Sequence, residues 1–99
     1  MRIFARKTLK SFWELPAYKD SEQSLKSWYD EAYKAVWKTP NDIKAQYKNA
    51  SILKDGRVVF NIHGNTYRLI VKINYDFSVV YIRFIGTHKQ YDKIDANEV

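Results

Sequence analysis

The hydrophobic period changes once along this chain, and the change divides it into a helical half and a strand half. Up to Tyr47, apolar residues recur every three or four positions, which is typical of amphipathic helices. From Ser51 they recur every second position, which is typical of strands in a sheet with one buried face. No linker or repeat separates the halves, so we expect one α+β domain over residues 1–99.

Three helices are predicted in the first half. Residues 7–15 form the first, which Pro16 ends, and either Asp20 or Ser21 can cap the second. The second helix carries an apolar stripe that is expected to pack on the sheet: Leu25, Trp28, Tyr29, Ala32, Tyr33 and Val36. Thr39-Pro40 supplies a cap and a first-turn proline for a short third helix, which ends at Tyr47.

Strands are predicted at Arg57–His63, Thr66–Tyr75 and Val79–Ile85, with a short first strand at Arg2–Ala5. Two-residue turns at Gly64-Asn65 and Asp76-Phe77 would place Asn61 opposite Arg68, Arg68 opposite Ile85 and Leu69 opposite Phe84. These registers collect apolar residues on one face, predicted to be the core: Val58, Phe60, Ile62, Leu69, Val71, Ile73, Val80, Ile82 and Phe84.

The opposite face of the predicted sheet is basic. It carries Arg57, Asn61, His63, Arg68, Lys72, Tyr81 and Arg83, with Val59, Ile70 and Ile85 between them. No carboxylate occurs among these positions, which favours an RNA-binding face, while an ordinary solvated face is the alternative. The whole chain has 17 Lys and Arg against 11 Asp and Glu, a net charge of +6 that attracts polyanions.

The composition excludes several classes of protein. The absence of Cys rules out a disulfide framework, a zinc ribbon and cysteine catalysis, and it fits a reducing cytoplasm, where we expect the protein to act. No apolar run is long enough to span a bilayer, so no membrane partner is predicted. The N-terminus lacks the apolar run of a signal peptide.

The segment from Ile85 to Asp92 leaves an apolar strand and presents His88 and Tyr91 three residues apart. Histidine transfers protons near neutral pH, and the rim of a sheet is a rigid mount for such a group. The registers gather Asn61, Arg68, His88 and Tyr91 at one end of the basic face. A polar chain end with a helix cap is the alternative. Neither Asp92 nor Asp95 makes a metal-ligand spacing with His88, so no metal or cofactor is expected.

Four segments, in this order and spacing, resemble the HigB toxins, which belong to the RelE-like group. They are Trp37-Lys38-Thr39-Pro40, Arg57 to Ile62, Gly64-Asn65-Thr66-Tyr67-Arg68-Leu69, and Tyr81 to Asp92. The resemblance implies a curved antiparallel sheet with helices on one face. It also implies an endoribonuclease that cleaves messenger RNA, usually on the ribosome, as the toxin of a type II toxin–antitoxin system. The implied partner is a HigA-type helix-turn-helix antitoxin, through which alone operator DNA would be contacted.

The resemblance also implies roles for individual residues. Arg68 matches the arginine that RelE-like toxins place on the scissile phosphate, and His88 and Tyr91 match the family's C-terminal catalytic pair. RelE carries lysines on the strand where this chain has Val59 and Asn61, so His88 and Tyr91 are expected to carry more of the proton transfer. The predicted RNA-binding residues are Arg57, Asn61, Lys72, Arg83 and Lys93.

Metal-free RNA cleavage needs a deprotonated 2′-hydroxyl, a stabilised phosphorane and a protonated 5′-oxygen. Arg68 suits the second task and His88 the third, while Tyr91 would orient the 2′-hydroxyl or act as base, and the acid and base roles can be exchanged. One alternative is a non-catalytic RNA-binding module on the same sheet. Another is a toxin acting on a protein target such as a topoisomerase, which His88 and Tyr91 disfavour.

Overall fold

The computed structural model describes residues 1–99 and contains five strands, four α-helices and one 3₁₀ helix. In chain order these are β1 (Arg2–Phe4), α1 (Arg6–Trp13), the 3₁₀ helix (Pro16–Ser21), α2 (Glu22–Lys34), α3 (Pro40–Gln46), β2 (Ser51–Ile52), β3 (Arg57–Ile62), β4 (Tyr67–Asn74), β5 (Val79–Thr87) and α4 (His88–Asp92). None of the helices has the length and apolar content needed to cross a membrane.

The five strands form one sheet in the order β1-β5-β4-β3-β2. The predicted α+β fold of RelE-like type is confirmed. The predicted antiparallel pairs are joined at one edge by a parallel pair, because β1 pairs with β5 in parallel. The two-residue strand β2, which joins β3 through a turn at Asp55-Gly56, was not predicted.

The three predicted N-terminal helices are present. Thr39 and Asp42 form a reciprocal capping box at the start of α3, with Pro40 in the first helical position. Ser21 precedes α2 but does not cap it, because its buried hydroxyl donates to the Tyr18 carbonyl at 2.7 Å. Two members of the predicted stripe are wrong: Tyr33 is exposed on the helix itself, and Val36 is exposed beyond its end at Lys34.

A core of 17 buried residues lies between the sheet and the helices. Its largest fully buried side chains include Trp28, Trp37, Phe60, Leu9, Leu25 and Leu69. Phe60 makes an edge contact with Trp28 and stacks on Trp37, at ring-centroid distances of 5.4 and 6.0 Å. The strand face that carries Val58, Phe60 and Leu69 is therefore the buried one, as its alternating pattern predicted.

The predicted register between β3 and β4 is confirmed. Asn61 lies opposite Arg68, Phe60 opposite Leu69, and Arg57 opposite Lys72. The intervening turn differs in detail, because the residues with positive φ are His63 and Gly64 rather than Gly64 and Asn65. His63 therefore leaves the strand before the turn and does not lie on the basic face. Its Nε2 is 3.7 Å from a carboxylate oxygen of Asp20, beside the helical layer.

The predicted register between β4 and β5 is correct from the turn at Asp76-Phe77 back to Val71. The pairing shifts between Ile70 and Val71, where β5 accommodates one extra residue, a β-bulge. Beyond the bulge Phe84 lies opposite Ile70, Ile85 opposite Leu69, and Gly86 opposite Arg68. Phe84 was therefore wrongly assigned to the core and Ile85 to the basic face, because each bulge reverses the alternation that follows it.

We call the sheet face turned away from α1 and α2 the outer face. The pairings place on it Arg57, Val59, Asn61, Arg68, Ile70, Lys72, Tyr81, Phe84 and Gly86. The segment after α4 follows this face, since the Arg57 Nε donates to the Val99 carbonyl at 2.8 Å. The outer face thus carries α4 at the Arg68 end of β4 and the last residues of the chain at the start of β3.

Candidate active site

The predicted reacting groups His88 and Tyr91 are held by the short helix α4. Thr87 caps it: the Gln90 amide donates to the Thr87 hydroxyl at 3.1 Å, and the Thr87 amide donates to the Gln90 side chain at 2.8 Å. This reciprocal pair satisfies two backbone donors that the helix start leaves free. The helix therefore follows β5 without a flexible loop, and both side chains are carried on a defined turn.

Gln90 also ties α4 to the body of the protein. Its side-chain amide donates to the Tyr18 hydroxyl at 3.3 Å. Tyr18 stacks on Phe12 with a centroid distance of 4.4 Å and an interplanar angle of 2°. Both rings contact Tyr67 edge-on. The helix with the candidate catalytic pair is thus anchored on an aromatic cluster of the core.

Arg68 lies next to this helix, at the end of the outer face. Its guanidinium carbon is 5.9 Å from the centre of the Tyr91 ring, within the range of a cation–π contact. One guanidinium nitrogen donates to the Asn65 carbonyl at 3.0 Å. The contact with Asn65 orients the half-buried side chain and leaves other guanidinium N–H groups for a ligand anion. The structure therefore brings Arg68 and Tyr91 together, although Arg68 lies opposite Gly86 and not opposite Ile85 as the predicted register placed it.

His88 occurs on the same helix and pairs with Asp92. The His88 Nδ1 is 3.1 Å from an Asp92 carboxylate oxygen, one helical turn further on. A carboxylate on Nδ1 fixes the orientation of the ring and leaves Nε2 for a substrate. Both side chains are more than half exposed, so Nε2 is accessible to solvent and to a large substrate.

Two predicted RNA-binding residues lie on the outer face beside or beyond Arg68. Asn61 is directly across from Arg68 on β3. Lys72 is on β4 between Arg57 and Tyr81. Lys72 is four positions along β4 from Arg68, which corresponds to about 13 Å. The outer face therefore presents an amide and a guanidinium at one position and an ammonium group further along the same strand.

Arg57 is placed differently from the other predicted RNA-binding residues. Its side chain is only 11% exposed and lies 3.7 Å from the Asp55 carboxylate. With Nε bonded to the Val99 carbonyl, the guanidinium is engaged within the protein. The structure therefore does not bring Arg57 into the group around Arg68.

Arg83 and Lys93 are both exposed. Arg83 falls at the β-bulge of β5, where it has no partner residue on β4. Lys93 follows α4 directly, and its backbone amide closes the last turn of that helix. Both therefore lie near α4 in the chain and carry positive charge into solvent.

A second polar cluster lies on the helical side of the sheet. The Tyr67 hydroxyl donates to an Asp20 carboxylate oxygen at 2.5 Å, and the other Asp20 oxygen faces His63. Burial, followed by the bond to Asp20, raises the pKa of Tyr67 to about 12. On the same side burial raises the pKa of Tyr47, and its bond to Glu31 adds to the effect. Phenols held neutral in this way are structural donors.

Sequence reasoning missed two residues that organise the candidate site. Asp92 had been weighed only as a metal ligand, although its spacing of four from His88 is that of contacting residues on one helix. Gln90 had no assigned role, although Thr87 and Gln90 have the three-residue spacing of a capping box. Both signals were present in the sequence between Thr87 and Asp92.

Helices on one face of a five-stranded sheet form an α+β fold that is consistent with the class of RelE-like toxins. Residues 21–94 match the HigB toxin family, described as the RelE-like toxic component of a toxin–antitoxin system. The mRNA interferase toxin HigB of Escherichia coli (strain K12) is 30% identical over 98 residues, which cover 97% of this chain and 92% of the relative. The mRNA interferases HigB of Escherichia coli O157:H7 and Shigella flexneri give the same identity and coverage.

The chain therefore belongs to the HigB toxin family, and the resemblance seen in its sequence is confirmed.

Proposed function

We propose that this chain is an endoribonuclease that cleaves messenger RNA, the activity for which its relatives are named. The observation that carries the proposal is the position of Arg68 against the Tyr91 ring, at the base of a helix that also presents His88. In the proposal, this cation binds a phosphate and the two proton-transfer groups act beside it at the same end of the outer face.

The proposed reaction is an internal transfer within the RNA strand. A base removes the proton of a ribose 2′-hydroxyl, the 2′-oxygen attacks the adjacent phosphorus, and the bond from phosphorus to the 5′-oxygen breaks. The leaving 5′-oxygen takes a proton from an acid. The products are a 2′,3′-cyclic phosphate and a 5′-hydroxyl, and no water is consumed in this step.

In this mechanism Arg68 stabilises the charge that develops on the phosphorane oxygens, because a guanidinium stays cationic and binds two oxygens at once. His88 protonates the 5′-oxygen through Nε2, while Asp92 holds the ring from Nδ1. Tyr91 orients the 2′-hydroxyl or accepts its proton. The opposite assignment of His88 and Tyr91 uses the same groups and gives the same products.

Binding of the RNA backbone is assigned to residues around this centre. Asn61 faces Arg68 across the strand pair and positions the phosphate. Lys72, Arg83 and Lys93 contact phosphates on either side, where they contribute affinity without chemistry. Arg57 is proposed only as a weak contributor, because its guanidinium is engaged by Val99 and Asp55.

We further propose that cleavage takes place on messenger RNA held by the ribosome in the cytoplasm. The side chain of His88 is exposed, so the site does not enclose its substrate. A ribosome that holds the RNA strand in place would therefore help to position it for cleavage. The proposed inhibitor is a HigA-type antitoxin with a helix-turn-helix region, through which the toxin would meet operator DNA indirectly. The family description supports an antitoxin partner in general.

The test compares two histidine variants. His88→Ala is expected to abolish growth arrest when the toxin is produced without its antitoxin, and Arg68→Ala should do the same. His63→Ala is the matched control, because His63 is also exposed and lies in the turn between β3 and β4, beside Asp20, rather than on α4. Thermal unfolding of each purified variant reports on the fold. Growth arrest that survives in His88→Ala would contradict the proposal, and a lost thermal transition would assign His88 to stability instead.

A further inference from the structure

An open pocket of about 420 Å³ lies at the end of the sheet remote from α4. Lys72, Asn74 and Tyr81 line it from adjacent strands, and Asp55 and Asp76 line it from the neighbouring turns. Lys72 and Tyr81 face each other across β4 and β5. The pocket therefore lies on the outer face, about 13 Å from Arg68 along β4, and the buried side chains of Val59 and Ile70 lie on that face between them.

One wall of the pocket is an exposed aromatic ring that is supported from behind. Tyr81 is 42% exposed and stacks on Phe4, with ring centroids 6.0 Å apart and an interplanar angle of 22°. The Arg2 guanidinium lies 5.4 Å from the centre of the Phe4 ring. Neither ring belongs to the hydrophobic core. A solvent-exposed ring that is backed by a second aromatic ring is a surface on which an unpaired base can stack.

The polar groups of the pocket suit a base better than a phosphate. Two carboxylates, those of Asp55 and Asp76, repel an anion but accept hydrogen bonds from N–H groups. The side-chain oxygen of Asn74 already accepts from the Phe77 amide at 3.2 Å, so its NH₂ group remains available as a donor. Only the ammonium of Lys72 is suited to the backbone beside the base.

We propose that this pocket binds one unpaired nucleobase of the RNA strand that is cleaved at Arg68. The inference rests on the proposed function and adds a base-binding subsite to it. The base stacks on Tyr81, and its exocyclic amino group donates to Asp55 or Asp76. Adenine, guanine and cytosine carry such an amino group and uracil does not. The pocket thus favours the three amino-bearing bases over uracil at one position outside the cleaved step.

The test measures binding of the wild-type chain to 2′-O-methyl oligonucleotides, in which the attacking oxygen is blocked. An abasic nucleotide is moved along the strand, and affinity is followed by fluorescence anisotropy. When the abasic nucleotide occupies the position that the pocket binds, the affinity of the oligonucleotide should fall about 5- to 20-fold. This is the lower part of the range for base–aromatic stacking. At that position uridine should bind less tightly than the other three nucleotides.

Tyr81→Leu should remove the sensitivity to the abasic nucleotide. Tyr33→Leu is the matched control, because Tyr33 is an exposed tyrosine on α2, and it should retain the sensitivity. The double variant Asp55→Asn, Asp76→Asn should keep the stacking effect and lose the discrimination against uridine. It provides a second test that leaves Tyr81 in place.

Several outcomes would overturn the inference. They are an unchanged abasic scan in Tyr81→Leu, a loss of sensitivity in both tyrosine variants, and no binding of any oligonucleotide by the wild type. Loss of antitoxin binding in Tyr81→Leu with unchanged RNA binding would assign the pocket to a protein instead. Cleavage of unmodified messenger RNA bound to ribosomes is assayed separately. A Tyr81-dependent scan without any cleavage would support the pocket and contradict the proposed function.

Discussion

The imidazole of His88 has one nitrogen turned to Asp92, at 3.1 Å, and the other free. This pairing with Asp92 distinguishes His88 from an exposed histidine whose ring has no partner. A five-residue helix is short, and the contact with Asp92 fixes a ring that would otherwise rotate in solvent. Asp92 is thus a positioning residue in the proposed mechanism, and the proton is transferred by His88.

Removal of the Asp92 charge tests this role. Asp92→Asn should lower the rate constant of cleavage by roughly 10- to 100-fold, because the ring loses its preferred orientation, while KM changes little. Asp95→Asn is a matched control, since Asp95 is another exposed aspartate just after α4 and the change in charge is the same. Equal effects of the two substitutions, or an effect on KM alone, would show that Asp92 does not position His88.

Tyr67 contributes to stability in a way that depends on pH. Its pKa is about 12 in the folded protein, against an ordinary value of 10. A raised pKa means that the neutral phenol is favoured by folding, so its contribution is complete below pH 10 and is lost as the pH rises towards 12.

Tyr67→Phe isolates this effect. The variant should be less stable than the wild type near pH 8, where the bond to Asp20 is lost. The difference in free energy of unfolding between the wild type and the variant should narrow above about pH 10. The Tyr67 phenol ionises in that range, whereas phenylalanine cannot ionise. Urea unfolding at a series of pH values measures both curves. Curves that stay parallel up to about pH 11.5 would contradict the assigned pKa.

At the scale of elements, periodicity predicted the strands β3, β4 and β5 and the register between the first two. The β-bulge of β5 escaped prediction because Ile82-Arg83-Phe84-Ile85 alternates acceptably in either register. Gly86 is a sequence signal of this bulge, but its meaning is clear only from the structure. A Cβ on Gly86 would lie 2.6 Å from the Phe84 ring, so the glycine leaves room for that ring on the outer face.

The candidate site, too, could be predicted only in part. His88 and Tyr91 were indicated by their place after the last strand, and the resemblance then assigned roles to them and to Arg68. The predicted register placed Asn61 opposite Arg68 correctly. The position of Arg57 was not predictable, because its burial depends on a contact with Val99, 42 residues away in the chain. The turn at Asp55-Gly56 was predictable in principle, since that dipeptide is a strong hairpin signal.

Two glycines with positive φ provide a test of the strand connections. Gly56 has φ +77° and a Cβ there would meet the Ile73 carbonyl oxygen at 2.5 Å, whereas Gly64 has φ +64° and no atom within 4 Å. Gly64→Ala should therefore cost about 1–2 kcal/mol for backbone strain alone. Gly56→Ala should cost at least about 1 kcal/mol more, because backbone must also move. Equal losses in urea unfolding would contradict this packing of the β2–β3 turn on β4.

Across the whole molecule, the outer face carries a different group of polar residues at each of its two ends. Arg68, His88 and Tyr91 lie at one end, and the pocket bordered by Lys72 and Tyr81 lies at the other. The net charge of +6 attracts an RNA strand to the protein as a whole. In the proposed function and the proposed base-binding pocket, the local groups then decide where its phosphates and bases are held.

Salt dependence separates the local contribution from the global one. If Lys72 contacts a phosphate, Lys72→Gln should reduce the slope of log affinity against log salt by about 0.7 for single-stranded RNA. Lys34→Gln removes the same charge from α2, where the side chain is exposed and pairs with Asp30, and it should leave the slope nearly unchanged. A similar change of slope in both variants would mean that net charge, rather than a contact at Lys72, governs binding.

The central claim is that Arg68, His88 and Tyr91 form a site for cleavage of messenger RNA without hydrolysis in the first step. It is tested most directly by identifying the chemical ends of the products. Messenger RNA bound to ribosomes is incubated with the wild type and with His88→Ala, and the fragments are analysed by mass spectrometry. The account predicts 2′,3′-cyclic phosphate and 5′-hydroxyl ends that form with the wild type and are lost with His88→Ala. Intact RNA with the wild type, or fragments that carry 3′-hydroxyl and 5′-phosphate ends, would contradict it.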